Sequence, residues 1–291
     1  MTSLKAFIAT ALTGVVAALG LSLGASPSAA QEELRIGFIA SLTGPIAATG
    51  KDMANGIEMY LDEVKNNFAG MKVKIIIEDD QGKPPVAVLK AEKLIRQDKV
   101  HLLVGGVLAP VGYALAPIST REKVVYIPSI PAADDLTQRQ SALYPYLIRT
   151  SWSSSQPHHP LGQWACENGF KKVVTVGADY AFGHEVVGGF QKAFEDCGGK
   201  VIQKIWPPLN AIDFGPYLPS IKKDADAIFS LMVGAMPLQF PKQVAAAGIK
   251  LPILGGGTSY DEFVLPFMDD GVIGHVSALH YSAALDTPKN I

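Results

Sequence analysis

The chain is short of most features that announce chemistry. It has two cysteines, Cys166 and Cys197, with no CxxC pair and no HxxxH spacing, so no ready metal-ligand set is in view. No GxxxxGK[ST] occurs, and the first apolar run is not followed by GxGxxG, so both familiar phosphate cradles are missing. No GxSxG elbow marks a hydrolase nucleophile. Neither sign of charge dominates: 25 Lys and Arg stand against 27 Asp and Glu with no basic stripe, which argues against nucleic acid as a partner. Beyond residue 30 no apolar run is long enough to cross a bilayer. The six histidines are scattered. His158 and His159 are adjacent, about 100° apart on a helix, and read as the solvated first turn of a helix behind the serines at 153–155. His184 opens another helix, and His101 and His275 border strands. No feature calls for enzyme activity, a cofactor or a metal.

What is present begins with an export signal. Residues 1–30 carry one early lysine, Lys5, then an apolar core over 6–23 and small residues ending in Ser28, Ala29 and Ala30. This predicts a secretory signal peptide cleaved after Ala30. A membrane anchor fits poorly, because Gly14, Gly20 and Gly24 break the run and no basic stop-transfer cluster follows. In an exported chain Cys166 and Cys197 are compatible with a disulfide, near the ends of successive helices, or with two buried free thiols. The sequence leaves both open.

From residue 34 onward, short apolar runs alternate with helical patterns. Strands are predicted at 35–40, 72–78, 102–105, 123–127, 172–177, 200–205, 226–232 and 251–254. In the first helical stretch Met53, Ile57, Tyr60, Leu61 and Val64 recur at three- and four-residue spacing. Further helices are predicted near 84–97, 110–121, 158–168, 184–196, 214–223 and 236–247. Continuous apolar strands between amphipathic helices imply parallel sheets covered on both faces. The alternation pauses at 129–156, where Pro131, Pro145 and "SWSSSQP" intervene. Two doubly wound α/β lobes in series are expected, with ligand at the turns beyond the carboxyl ends of the strands.

The first such turn is "SLTGPIAATG" at 41–50. Ser41 and Thr43 offer hydroxyls, and the helix start near 48–53 adds backbone N–H groups at the positive end of a dipole. A small carboxylate would be held there without arginine. Desolvating it costs several kcal/mol, and each hydrogen bond to the charge returns roughly 1.5–3 kcal/mol, so three or four donors suffice. The same residues serve equally well as caps that shape the turn.

Together, "RIGFIASLTGPIAATGKDMANGIEMYLDEVKN", "VKIIIEDDQGKPPVAVLKAEKLI", "LLVGGVLAPVGYALAPISTREKVVYIPSIPAADDLT", "VTVGADYAFGHEVVGGFQKAFEDCGGKV" and "FPKQVAAAGIKLPILGG" resemble, in order and over essentially the whole mature chain, the periplasmic binding proteins of ABC importers, and more narrowly the type I, leucine-binding family. The resemblance implies a venus-flytrap: a lobe over 31–147, a second over 148–277, a hinge, and a crossover back beginning at 278–291, after which family members continue, so a fragment is expected. It implies a carboxylate held at Ala109, Pro110, Ile130, Pro131 and Ala132. Phe182, with Tyr180 beside it, matches the aromatic contributed by the second lobe. Gly257 stands where the family places an acid for an α-ammonium group, with Asp179 and Asp261 as neighbouring substitutes. A buried ammonium without its partner loses about 3–5 kcal/mol, at least 100-fold in affinity. With Trp152, Met232 and Val233 also at cleft positions, the expected ligand is a hydrophobic carboxylate, an aromatic acid in preference to leucine. The expected role is capture by hinge closure and delivery to a permease, by a periplasmic monomer. The rivals are a ligand-sensing module and, less favoured, a secreted α/β enzyme.

Overall fold

Valine- and isoleucine-rich runs form two five-stranded sheets, because a strand covered on both faces needs apolar side chains on both. The computed structural model describes residues 33–138, 141–262, 264–288 and 290. The signal peptide expected over 1–30 lies outside the described residues. The first sheet holds β1 (Glu33–Ala40), β2 (Asn67–Phe68), β3 (Met71–Asp79), β4 (Leu102–Gly105) and β5 (Val125–Pro128) in the order β2-β3-β1-β4-β5. All neighbours in it are parallel except β2 against β3. Helices α1 (Ala47–Glu63), α2 (Pro84–Arg96) and α3 (Ala109–Glu122) make its crossovers.

The second sheet holds β6 (Lys172–Gly177), β7 (Lys200–Ile205), β8 (Ala227–Leu231), β9 (Ile253–Gly256) and β10 (Val276–Ala278) in the order β10-β9-β8-β6-β7, all parallel. Its helices are α4 (His158–Glu167), α5 (Ala181–Asp196) and α6 (Met236–Ala246). The protein is thus α/β with two parallel-sheet lobes. Every residue of β8 is buried, and Phe229 on it stacks on Phe190 of α5 with centroids 4.1 Å apart. In the first lobe Ile39, Leu94, Leu103, Leu115 and Tyr126 close the core between sheet and helices.

The carboxyl edge of each sheet is built tightly. Gly105 ends β4 at φ +113°, and a Cβ there would lie 2.1 Å from the carbonyl oxygen of Ile39. A Cβ on Gly183, in the first turn of α5, would lie 1.9 Å from the carbonyl oxygen of Ala178. Only glycine lets these turns come so close.

One expectation changes. The helix predicted at 214–223 is a turn with one short 3-10 segment, Leu218–Ser220. Pro216 and Pro219 lack the N–H donors a helix needs, and the Pro219 ring would clash with the preceding turn. At the edge of the second sheet, Val276, Ser277 and Ala278 pair with Leu254, Gly255 and Gly256. Between the sheets, Arg149 ties the passage together. Its guanidinium donates to the carbonyls of Pro131 (3.3 Å), Trp152 (3.1 Å) and Ala133, and its Nε to Thr137 Oγ1 at 3.0 Å.

Candidate ligand-binding cleft

Right-handed crossovers bring the strand-to-helix turns of both lobes to facing edges. Between them lies a cavity of about 160 Å³. The first lobe contributes Ile46 and Thr49 from the start of α1, Val107, Leu108 and Ala109 from the start of α3, and Ile130 and Ala132 from the segment after β5. From the passage comes Trp152; the second lobe supplies Tyr180 and Phe182 at the start of α5, Val233 and Gly234 before α6, and Thr258, Asp261 and Val264 after β9.

The electrostatics of this cavity come from backbone more than from side chains. Ile46, Leu108 and Tyr180 are the N-caps of α1, α3 and α5, and α6 starts two residues after Gly234. None of these four helix starts receives a side-chain cap hydrogen bond. Four positive dipole ends with first-turn N–H groups therefore surround the cavity. Its described lining includes no lysine, arginine or histidine, and Asp261 is its one acid. The remaining wall is apolar and aromatic. Trp152 meets Phe182 edge-on at 5.6 Å and stacks on His280 at 4.7 Å, and Phe182 lies 6.0 Å from Tyr180. Burial pushes the Tyr180 hydroxyl well above the ordinary phenol range, so it is a neutral group.

Of the residues singled out from sequence, Ala109, Ile130, Ala132, Trp152, Tyr180, Phe182 and Val233 line this cavity. Ser41 and Thr43 do not. Ser41 is fully buried and donates to Asp80 Oδ1 at 2.6 Å; Thr43 donates to Asp79 Oδ2 at 2.6 Å. The two aspartates at the end of β3 also accept the amides of Leu42 (2.9 Å), Gln81 (2.8 Å) and Gly82 (2.8 Å), so this group fastens two neighbouring turns to each other. Burial works against the Asp79 carboxylate, but the Thr43 hydroxyl and the amides of Gln81, Leu42 and Thr43 outweigh it and hold its pKa low. Burial prevails at Asp80 and raises its pKa despite Ser41 and Gly82.

Pro110, Pro131, Met232 and Gly257 also stand off the cavity lining. Pro131 packs on Gly112 of α3, Met232 is buried in the second-lobe core, and Gly257 is held by its amide and crowded by Leu279. That amide donates to His158 Nε2 at 3.2 Å, while His158 Nδ1 sits 2.7 Å from the Ser154 carbonyl. His158 is therefore a buried clamp and not a solvated first turn; burial pushes its pKa down to about 4. Of the two acids weighed as ammonium partners, Asp179 is engaged with His184 at 2.8 Å outside the cavity, and Asp261 lines it.

Ile46, Thr49, Val107, Leu108, Gly234, Thr258 and Val264 line the cavity without having been singled out. Each lies on a segment that follows a strand's carboxyl end, where ligand was expected, and that placement was the signal available. Elsewhere, Cys166 and Cys197 are disulfide-bonded and tie the C-terminal end of α4 to that of α5. Among the described residues no cluster of three or more His, Cys, Asp or Glu is placed to hold a metal ion, and no helix is long and apolar enough to cross a membrane.

Comparison with known proteins gives this geometry relatives. "Leu/Ile/Val-binding protein homolog 6" of Brucella melitensis is 30% identical over 275 residues, covering 92% of this chain and 69% of its own. The solute-binding protein of an ABC transporter from Rhodopseudomonas palustris BisB5, solved with 3,4-dihydroxybenzoic acid, superposes with a TM-score of 0.82 at 34% identity, over 89% of this chain and 71% of that one. A second R. palustris solute-binding protein, solved with 4-hydroxybenzoate, gives a TM-score of 0.83 at 30% identity, with the same coverage of 89% and 71%. Residues 33–291 match the family model for periplasmic binding proteins. The chain belongs to the periplasmic binding protein family, among the ABC-transporter solute-binding proteins that resemble Leu/Ile/Val-binding proteins.

Proposed function

We propose that this protein is the periplasmic capture component of an ABC importer for a small aromatic monocarboxylate, which it encloses by hinge closure and hands to a permease. The observation that carries this reading is the interlobe cavity of about 160 Å³, walled by Trp152, Phe182, Ile130 and Val233 and ringed by four helix N-termini. An apolar cavity of roughly 150 Å³ is enough for a benzene-sized ring. Burying a ring of about 150 Å² contributes about 4 kcal/mol at about 25 cal/mol per Å². Backbone N–H groups then offset the desolvation of the carboxylate, with no cation needed. The 3,4-dihydroxybenzoic acid and 4-hydroxybenzoate held by the two R. palustris relatives point the same way.

A ligand touching both lobes stabilises the closed arrangement and shifts the population toward it. Micromolar affinity corresponds to about 8 kcal/mol, ample for a two-state shift. The leader-like residues 1–30 and the family support the periplasmic setting.

Asp261 favours a second reading, an α-amino acid with its ammonium on that carboxylate. Titration calorimetry on the mature protein separates the two. Benzoate and 4-hydroxybenzoate should bind at micromolar concentration and leucine at least 10-fold more weakly. Binding of leucine alone would overturn the proposal.

A further inference from the structure

We infer that Arg149 is the charge that admits an anion to the cleft: its guanidinium acts on the ligand's carboxylate from behind the cavity wall, through the Pro131–Ala132 peptide. This rests on the aromatic-acid reading of the cavity. The described lining carries no lysine, arginine or histidine, but Ala132 and Trp152 belong to it, and Arg149 holds the chain at both. Its guanidinium donates to the carbonyls of Pro131 and Ala133, on either side of Ala132, and to that of Trp152 at 3.1 Å. Its Nε donates to Thr137 Oγ1. All four acceptors are neutral, so among the described residues no carboxylate takes up this charge by direct contact.

A trans peptide directs its carbonyl and its N–H to opposite sides. Three peptide carbonyls accept from Arg149, and two of those peptides use their N–H inside the protein. The Asp134 amide goes to Glu185 Oε2 at 3.0 Å, and the Ser153 amide to Gln156 Oε1 at 2.8 Å. The third N–H is that of Ala132, a cavity-lining residue only 4% exposed, and it has no partner among the described residues. Buried backbone donors without an acceptor are rare. This one is turned away from the guanidinium and polarised by it, and the ligand's carboxylate is the acceptor it lacks. The surrounding charges make the cation necessary. Asp261 lines the cavity, and Asp134 and Glu185 lie close enough to Arg149 to favour its charge against the burial that opposes it. Without Arg149 an entering carboxylate would meet only like charges from these acids, in a site that screens them less than water does. A neutral ligand of the same shape gains nothing from the guanidinium.

Calorimetry with benzoate and benzamide, alike in shape but differing in charge, tests this on the mature protein. The wild type should prefer benzoate by at least about 10-fold. A unit charge about 8–10 Å from the carboxylate, at an effective dielectric constant of about 20, changes that preference by roughly 10- to 30-fold. In Arg149→Gln the ratio should fall by this factor. Arg149→Lys keeps the charge without the fork and should stay within about threefold of the wild-type ratio. Losing the fork alone weakens both ligands together and leaves the ratio untouched, which separates the charge from a structural role. Glu185→Gln removes one of the opposing acids and should raise the ratio several-fold. Circular dichroism checks that each variant is folded, and Glu185→Gln decides the matter should Arg149→Gln not fold. A wild-type ratio near one, with both ligands bound, would overturn the inference and leave the aromatic-acid reading standing. So would a ratio unchanged in a folded Arg149→Gln or, in its place, in Glu185→Gln, and so would a ratio lost as fully in Arg149→Lys as in Arg149→Gln. Failure of benzoate to bind the wild type would overturn both.

Discussion

The hydroxyl hydrogen of Ser41 goes to Asp80, 39 residues along the chain, in a bond of 2.6 Å between buried groups, while the second oxygen of Asp80 has no partner among the described residues. Removing the hydroxyl leaves a buried carboxyl group short of donors. Ser41→Ala should therefore cost about 2 kcal/mol of stability in urea unfolding, and Thr43→Ala, whose bond is exposed, less than about 1 kcal/mol. Neither change should alter ligand affinity by more than about twofold, since neither side chain lines the cavity; a large loss of affinity would return the carboxylate site to that turn. His158 gives a prediction with a pH sign. Its pKa falls from the ordinary 6.5 to about 4 because burial disfavours the imidazolium. Between those values the unfolded chain binds a proton that the native state refuses, so this contribution is complete above pH 6.5 and is lost as pH drops toward 4. The amount is about 3 kcal/mol. Asp80 and Glu185 shift upward through burial and act in the opposite direction, so the comparison must be made against a variant. His158→Gln should be less stable than wild type at pH 7.5, and the gap should close as the unfolding measurements are moved to pH 4.5. A gap that ignores pH would mean that the neutral imidazole is not what holds Ser154 and Gly257 together.

At the scale of elements, what could be read from sequence depended on whether a residue's role repeats along the chain. Strands such as β8, buried at every position, announce themselves as unbroken apolar runs, and α1 and α6 announce themselves by periodicity. The 214–223 segment imitates that periodicity with Phe214, Tyr217, Leu218 and Ile221, yet Pro219 lacks the hydrogen-bond donor that a helix would need there. Cavity residues such as Leu108, Gly234 and Thr258 sit singly in turns, where no period marks them. Ser41 and Thr43 were legible as hydroxyls near a helix start, but their acceptors Asp79 and Asp80 are brought to them only by the pairing of β1 with β3. The disulfide is likewise settled by helix packing, which sets the ends of α4 and α5 side by side. Closing a chain segment of this size, with the cysteines 31 positions apart, is worth about 3.7 kcal/mol. Replacing both cysteines by serine should lower the unfolding free energy by about that amount. Affinity should be unaffected, because the bridge lies at the far end of α5 from Phe182, roughly 22 Å along the helix.

For the whole molecule the proposed function requires that a ligand in one small cavity draw two lobes together. Some contacts between the lobes lie close to the cavity. Glu185, one turn beyond Phe182 on α5, accepts the Asp134 amide at 3.0 Å and the Tyr113 hydroxyl at 3.4 Å, which reach it from the first-lobe side. On the proposed reading, a ligand bridging Ala109 and Ile130 to Phe182 and Val233 adds to these contacts only when the lobes are together, which would make binding and closure one equilibrium. Two readouts follow. At a ligand concentration 100 times Kd the native state should gain about 2.7 kcal/mol in urea unfolding, and small-angle scattering should show a smaller radius of gyration under the same conditions. Trp152 should report the event directly, because its ring lies in the cavity wall between Phe182 and His280, whereas Trp164 packs on Phe170 and Trp206 on His184. A Trp164→Phe, Trp206→Phe double variant should retain the ligand-dependent fluorescence change, with a midpoint equal to the calorimetric Kd. Stabilisation without compaction, or a fluorescence change that disappears with Trp164 and Trp206, would mean that the ligand occupies one lobe and closure is not coupled to capture.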